Sequence, residues 1–108
     1  MKRVFILSFY LSTLAVICLF WSKPYLAFAL LSVLVVLRLM IFKKKNNWLV
    51  FLLTGILGAI SEIIAVNFGA WVYAKPGLIN IPIWLPLVWG MAGLCFRDIY
   101  SFVLKIKN

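Results

Sequence analysis

Two acidic side chains stand against 11 basic ones in this chain, and the acids are where chemistry is to be sought first. Glu62 lies in an apolar run, about one turn from its end. An ionisable group at such a depth is costly, and is by default a functional hypothesis. Gly58 and Glu62 are four residues apart and share a helical face. With Gly55, Ala59 and Ala65 nearby, that face is small enough to pack closely, so Glu62 is expected to point into a bundle or an oligomer interface. A structural role is equally consistent with the residue: a hydrogen bond to Tyr, Trp or Asn, or an ion pair with Lys75.

The segment that follows adds Asn67, Trp71, Tyr73 and Asn80, then Pro82-Ile83-Trp84-Leu85-Pro86. Glu62, Asn67, Trp71, Tyr73, Asn80 and Trp84 together are expected to form an aromatic-lined, weakly polar pocket. Such a lining suits an apolar or amphiphilic ligand, with a few polar groups to orient it. Each aromatic taken alone is adequately explained as an interface anchor.

The second acid, Asp98, needs a partner if it lies within the membrane. Arg38 is at similar depth on another segment, and the two are expected to form a structural ion pair. Arg97 is expected to extend its guanidinium to the headgroups. The run Lys43-Lys44-Lys45 is expected to set topology and attract anionic lipid. Gly90 and Gly93 mark a helix-packing seam.

Several chemistries are excluded. The chain has no His, which removes imidazole catalysis and His metal ligands. Cys18 and Cys95 form no CxxC pair and read as small buried apolar residues. No metal site and no cofactor is expected. There is no phosphate loop and no nucleophile elbow. Glu62 and Asp98 are expected at opposite sides of the membrane, where they cannot act on one bond. The net charge of +9 would suggest nucleic acid in a soluble protein. Here the cations flank apolar runs, so nucleic acid is not expected as a partner.

The elements that must position these residues follow from composition. At 108 residues the chain suffices for one domain, and 67% of it is hydrophobic, against about 45–50% in soluble domains. A fold this small cannot hide so many apolar side chains from water. A hydrocarbon core of about 30 Å needs about 20 apolar residues in a helix. Four segments fit, at about 4–21, 24–42, 48–66 and 82–104. The first is read as a retained membrane helix rather than a signal peptide, because its apolar run is longer than an h-region. The fold class is therefore all-α, an integral membrane four-helix bundle.

Charge then orients the bundle. With the N- and C-termini cytoplasmic, Lys2, Arg3, Arg38, Lys43, Lys44, Lys45, Arg97, Lys105 and Lys107 fall on the cytoplasmic side, leaving only Lys23 and Lys75 outside. Glu62 and its aromatic neighbours then lie on the outer side. Trp21, Trp48, Trp71 and Trp84 fall near the expected interfaces, as an aromatic belt does. The expected location is the cell (inner or plasma) membrane, multi-pass.

The stretches Gly58-Ala-Ile-Ser-Glu62, Asn67-Phe-Gly-Ala-Trp71-Val-Tyr73 and Ile81-Pro-Ile-Trp-Leu-Pro-Leu-Val-Trp89 carry a resemblance. They resemble the acid, aromatic and proline-tryptophan pattern of polytopic membrane proteins related to carotenoid hydratases and lycopene cyclases, and of uncharacterised bacterial membrane families. That resemblance implies an acid, Glu62, near the end of a polyene. Size and span count also resemble the small multidrug transporters, whose membrane glutamate lies in the first helix rather than the third.

Three readings follow. The first is a protein that binds, and could translocate, a lipid, isoprenoid or other amphiphile at the pocket around Glu62. The second is a non-enzymatic subunit, assembly factor or immunity-type protein of a membrane complex. The third is a membrane enzyme using Glu62 as an acid on an isoprenoid-like substrate. The expected partners are membrane lipids and either further copies of the chain or a partner membrane protein. A bundle this small has little room for a channel, so transport would place the site between protomers.

Overall fold

In the computed structural model the backbone is described for residues 2–73 and 80–107, and the side chains for 3–73 and 80–105. Four helices follow one another: α1 Lys2–Phe20, α2 Pro24–Ile41, α3 Asn47–Asn67 and α4 Leu85–Lys107. No strand occurs among the described residues. Lengths of 18 to 23 residues give about 27–35 Å of helix, enough to cross about 30 Å of hydrocarbon. All four are long and apolar enough to span a membrane. The chain is thus built as a multi-pass membrane protein.

Local residues set the breaks. Lys23, which precedes Pro24, has φ −121° and ψ 77°, outside the helical region, as a residue before proline prefers. Pro24 then opens α2, where its missing N–H costs nothing. Asn46 takes the left-handed conformation before α3, with φ 65°, which asparagine tolerates better than most residues. The α3 exit is a Schellman motif. Gly69, at φ 83°, donates its N–H to Val66 O over 3.0 Å, and Ala70 donates to Ala65 O over 3.0 Å.

The fourth helix starts later than the apolar run implies, at Leu85 rather than Pro82. Pro86 is the cause. It has no N–H to give Pro82 O, and its ring would clash with that carbonyl in a helix interior. Residues 82–84 instead form a turn, closed by the Leu85 N–H donating to Pro82 O over 3.1 Å. At the other end the helix continues past 104 to Lys107, since no breaker intervenes.

The most extensive packing is between α3 and α4; α1 packs on α2, and α4 also touches α1 and α2. Small residues allow the first of these approaches. A Cβ on Gly58 would fall 2.2 Å from the Trp89 indole, and one on Gly93 would fall 2.2 Å from Thr54 Oγ1. Gly55 and Gly90 face each other, backbone against backbone. Without a hydrophobic drive between helices in lipid, such close van der Waals fit is what associates them.

The core continues each helix's small or apolar stripe. Ala27, Leu31 and Val35 are buried on α2, and Met91 and Leu94 on α4. The same stripes end in Arg38 and Asp98, both fully buried. Phe5, Phe9 and Phe42 meet edge to face at 5.4 and 6.0 Å between α1 and the end of α2. The outward faces carry exposed Leu, Ile and Val throughout, as helices bathed in hydrocarbon do. Arg3 lies 5.2 Å from the Phe102 ring, which brings the start of α1 to the end of α4. This end of the bundle also holds the α2–α3 connection and its lysines, and is called the basic end below.

Candidate functional site

Polar side chains gather in two places, one at each end of the bundle. The first surrounds Glu62. Oε2 accepts hydrogen bonds from Trp71 Nε1 at 2.9 Å and from Tyr73 OH at 2.8 Å. The α3 exit turn makes both possible, because Gly69 reverses the chain and folds residues 71–73 back towards the last helical turn. Nearby, Asn80 Nδ2 donates to Asn67 Oδ1 over 3.1 Å. Asn80 itself is left-handed, at φ 66°. These contacts tie both ends of the α3–α4 connection to the end of α3.

Tyr73 responds electrostatically to its place. Burial first, and then its hydrogen bond to the Glu62 carboxylate, push its phenol up to about 12 from the ordinary value of 10. It therefore stays a donor through the physiological range. Trp71 is half exposed, and Phe68 and Val72 are nearly fully exposed. The carboxylate of Glu62 thus sits beside an apolar, aromatic rim.

Of the residues expected in this pocket, Glu62, Trp71 and Tyr73 form one hydrogen-bonded group, and Asn67 and Asn80 a second pair beside it. Trp84 does not join them. It is buried in the core with Ala27, Leu31, Ala59, Ile81 and Leu85. Its Nε1 finds no acceptor among the described residues. Trp84 lies in the turn that precedes α4, and its indole packs inward. The partnership of Lys75 with Glu62 lies outside the described residues.

The second cluster is at the basic end and is almost closed to solvent. Arg38 donates from NH2 to Asp98 Oδ2 over 2.7 Å, and both side chains are fully buried. Tyr10 bridges them, its hydroxyl donating to Asp98 Oδ2 and accepting from Arg38 Nε at 3.0 Å. Lys44 Nζ donates to Asp98 Oδ1 over 3.0 Å. Arg38 NH1 and Asn47 Nδ2 both donate to the carbonyl of Phe42, at 3.1 and 2.7 Å. The last carbonyl of the α2 exit is thereby satisfied, and one network joins α1, α2, α4, the α2–α3 connection and, through Asn47, the first residue of α3.

The pair Arg38–Asp98 is the one proposed from depth alone. Tyr10 and Lys44 are the members that sequence reasoning missed. Tyr10 is one aromatic among many in an apolar helix; its only signal is its place on the buried stripe Ile6, Phe9, Tyr10, Thr13. Lys44 sits inside a run of three lysines, where nothing marks one from another. Arg97 also differs from expectation. It turns from the headgroup direction to the α2–α3 connection and the start of α3, donating to Lys45 O over 3.2 Å and to Asn47 Oδ1. Cys18, expected inside, is exposed on the bundle surface, while Cys95 is half-buried.

Beside this network opens a cavity of about 570 Å³. No group of His, Cys, Asp and Glu able to hold a metal occurs among the described residues. The two acids belong to different clusters at opposite ends of the bundle, so no paired-carboxylate chemistry is available. Comparison with protein-family models, with curated proteins and with solved structures finds no match for this chain.

Proposed function

We propose that this protein binds an apolar or amphiphilic ligand, of lipid or isoprenoid type, at the end of α3 around Glu62. The observation that carries the reading is the setting of the Glu62 carboxylate. Trp71 and Tyr73 both donate to Oε2, so the carboxylate is oriented while no described residue donates to Oε1. The rim of Phe68, Trp71 and Val72 offers the exposed apolar surface that the body of such a ligand needs. A carboxylate selects a polar head that donates hydrogen bonds or carries positive charge, such as a hydroxyl or an amine.

The termini are taken as cytoplasmic and the Glu62 end as outward, on the ground that nine of the 11 basic residues then lie inside. Movement of the ligand across the bilayer would require a second copy, since one bundle of this size leaves little room for a channel.

Native mass spectrometry of the protein released from mild detergent tests the reading. The wild type is expected to retain a stoichiometric small-molecule adduct that Glu62→Gln loses while keeping its helical content. The same adduct on both proteins, or none on either, overturns it.

A further inference from the structure

The cavity at the basic end is lined by Arg3 from α1, Lys43 and Lys44 from the α2–α3 connection, and Lys105 from α4. Four cations from three separate parts of the chain thus converge on one opening of about 570 Å³. No carboxylate lines it among the described residues. The nearest acid, Asp98, is fully buried and is already matched by Arg38 and Lys44. Converging cations repel unless an anion sits among them. The ring of Phe102 organises two of them, with Arg3 at 5.2 Å and Lys44 at 5.9 Å from its centroid.

Below the cations the lining turns apolar. Met40 and Ile41 border the cavity and are themselves largely exposed along α2. A charged mouth above an open hydrocarbon-facing wall matches one kind of molecule: an anion that continues into acyl chains. We propose that this cavity is a binding site for the phosphate headgroup of an anionic phospholipid. The headgroup lies among Arg3, Lys43, Lys44 and Lys105, and its chains run along Met40 and Ile41. A free phosphate would use the same cations but not the apolar wall. The site is independent of Glu62, which lies at the other end of the bundle. Through Lys44, which also holds Asp98, the bound headgroup touches the buried network.

The test is a titration of the detergent-solubilised protein with phosphatidylglycerol, phosphatidylcholine or inorganic phosphate, read by native mass spectrometry. One phosphatidylglycerol per chain is expected, with phosphatidylcholine bound far more weakly. The double variant Arg3→Gln/Lys105→Gln should weaken binding about thirtyfold, the loss expected for two cations at a membrane surface. Arg3→Lys/Lys105→Arg keeps both charges and should retain binding. Lys45→Gln removes a cation from the same lysine run that does not line the cavity, and should leave binding unchanged. Glu62→Gln should also leave it unchanged, which separates this site from the one at α3. Equal losses from Lys45→Gln and from the double variant would mean diffuse surface charge and overturn the site. Equal binding of phosphatidylcholine would overturn it too. Binding of inorganic phosphate without any phosphatidylglycerol adduct would reassign the cavity to a soluble anion and overturn the lipid.

Discussion

Lys44 Nζ lies 3.0 Å from Asp98 Oδ1, joining a partly exposed cation in a connection to a carboxylate with no exposure at all. The two residues are 54 positions apart. Asp98 therefore has three donors on its two oxygens, Arg38, Tyr10 and Lys44. They come from α1, α2 and the α2–α3 connection, so a single carboxylate on α4 fastens every neighbour but α3. A buried charge is tolerable only when paired and hydrogen-bonded in this way.

The contributions of these partners should be unequal. Asp98→Ala leaves Arg38 buried without its counter-ion and is expected to cost about 3–5 kcal/mol. Lys44→Gln removes a partly solvated partner and should cost about 1 kcal/mol or less. The double variant Arg38→Met/Asp98→Leu removes both charges and should recover most of the first loss. Unfolding in mixed micelles ranks the three. A Lys44→Gln loss as large as that of Asp98→Ala would refute the ranking.

Gly58 and Gly69 should fail for different reasons when replaced by alanine. At Gly58 a Cβ meets the near side of the Trp89 ring at 2.2 Å, so α3 and α4 must part. Overpacking of that kind costs about 1–3 kcal/mol. At Gly69 there is open space but φ is +83°, and the cost is conformational, about 1 kcal/mol. Gly69→Asn, which accepts the left-handed region, should recover part of the loss. Thermal unfolding of the three variants checks this; no recovery with Asn would contradict the argument.

At Glu62 a glutamine keeps an oxygen able to accept from Trp71 and Tyr73, whereas alanine keeps none. Glu62→Gln should leave the α3–α4 connection fastened, and Glu62→Ala should release it. Each lost hydrogen bond is worth about 0.5–1.5 kcal/mol. Hydrogen exchange at residues 68–73 is the measurement. Faster exchange in Glu62→Gln equal to that in Glu62→Ala would show that charge, not acceptor geometry, holds the connection.

Alkali should loosen the same place. Tyr73 has its ionisation raised from 10 to about 12 by burial and by Glu62. A group whose folded value is raised contributes stability that is complete below its unfolded value and lost as pH climbs through the folded one. The contribution of Tyr73 should thus be constant below about pH 10 and decline from there to about pH 12. An ultraviolet titration of wild type and Tyr73→Phe should differ by one late-ionising phenol. A difference centred near 10 would refute the assignment.

How legible each feature was depends on the range of the interaction behind it. The helix count was readable because about 20 consecutive apolar residues is a local property set by bilayer thickness. The glycine seam was readable from spacing alone, since residues three and four apart share a helical face. Glu62 and its aromatic neighbours are close in sequence, and Gly69 is a local signal for the turn that joins them. The α4 start lies at Leu85 rather than Pro82 because Pro82 and Pro86 both suit a first helical turn, and only the clash between them decides which one serves.

The sequence by itself determined four apolar helices, their order, the breaks before Pro24 and before α3, and the crowding of cations at one end. It did so because burial of apolar length, proline geometry and charge exclusion from hydrocarbon act along the chain. Tertiary structure alone decided which of three adjacent lysines reaches Asp98 and that Tyr10 bridges Arg38 to it. It also decided that Trp84 turns inward and that Arg3, Lys43, Lys44 and Lys105 share one cavity. Those outcomes depend on the rotation and depth of one helix against another. That register is settled by close packing across the seam, which no single stretch of residues contains.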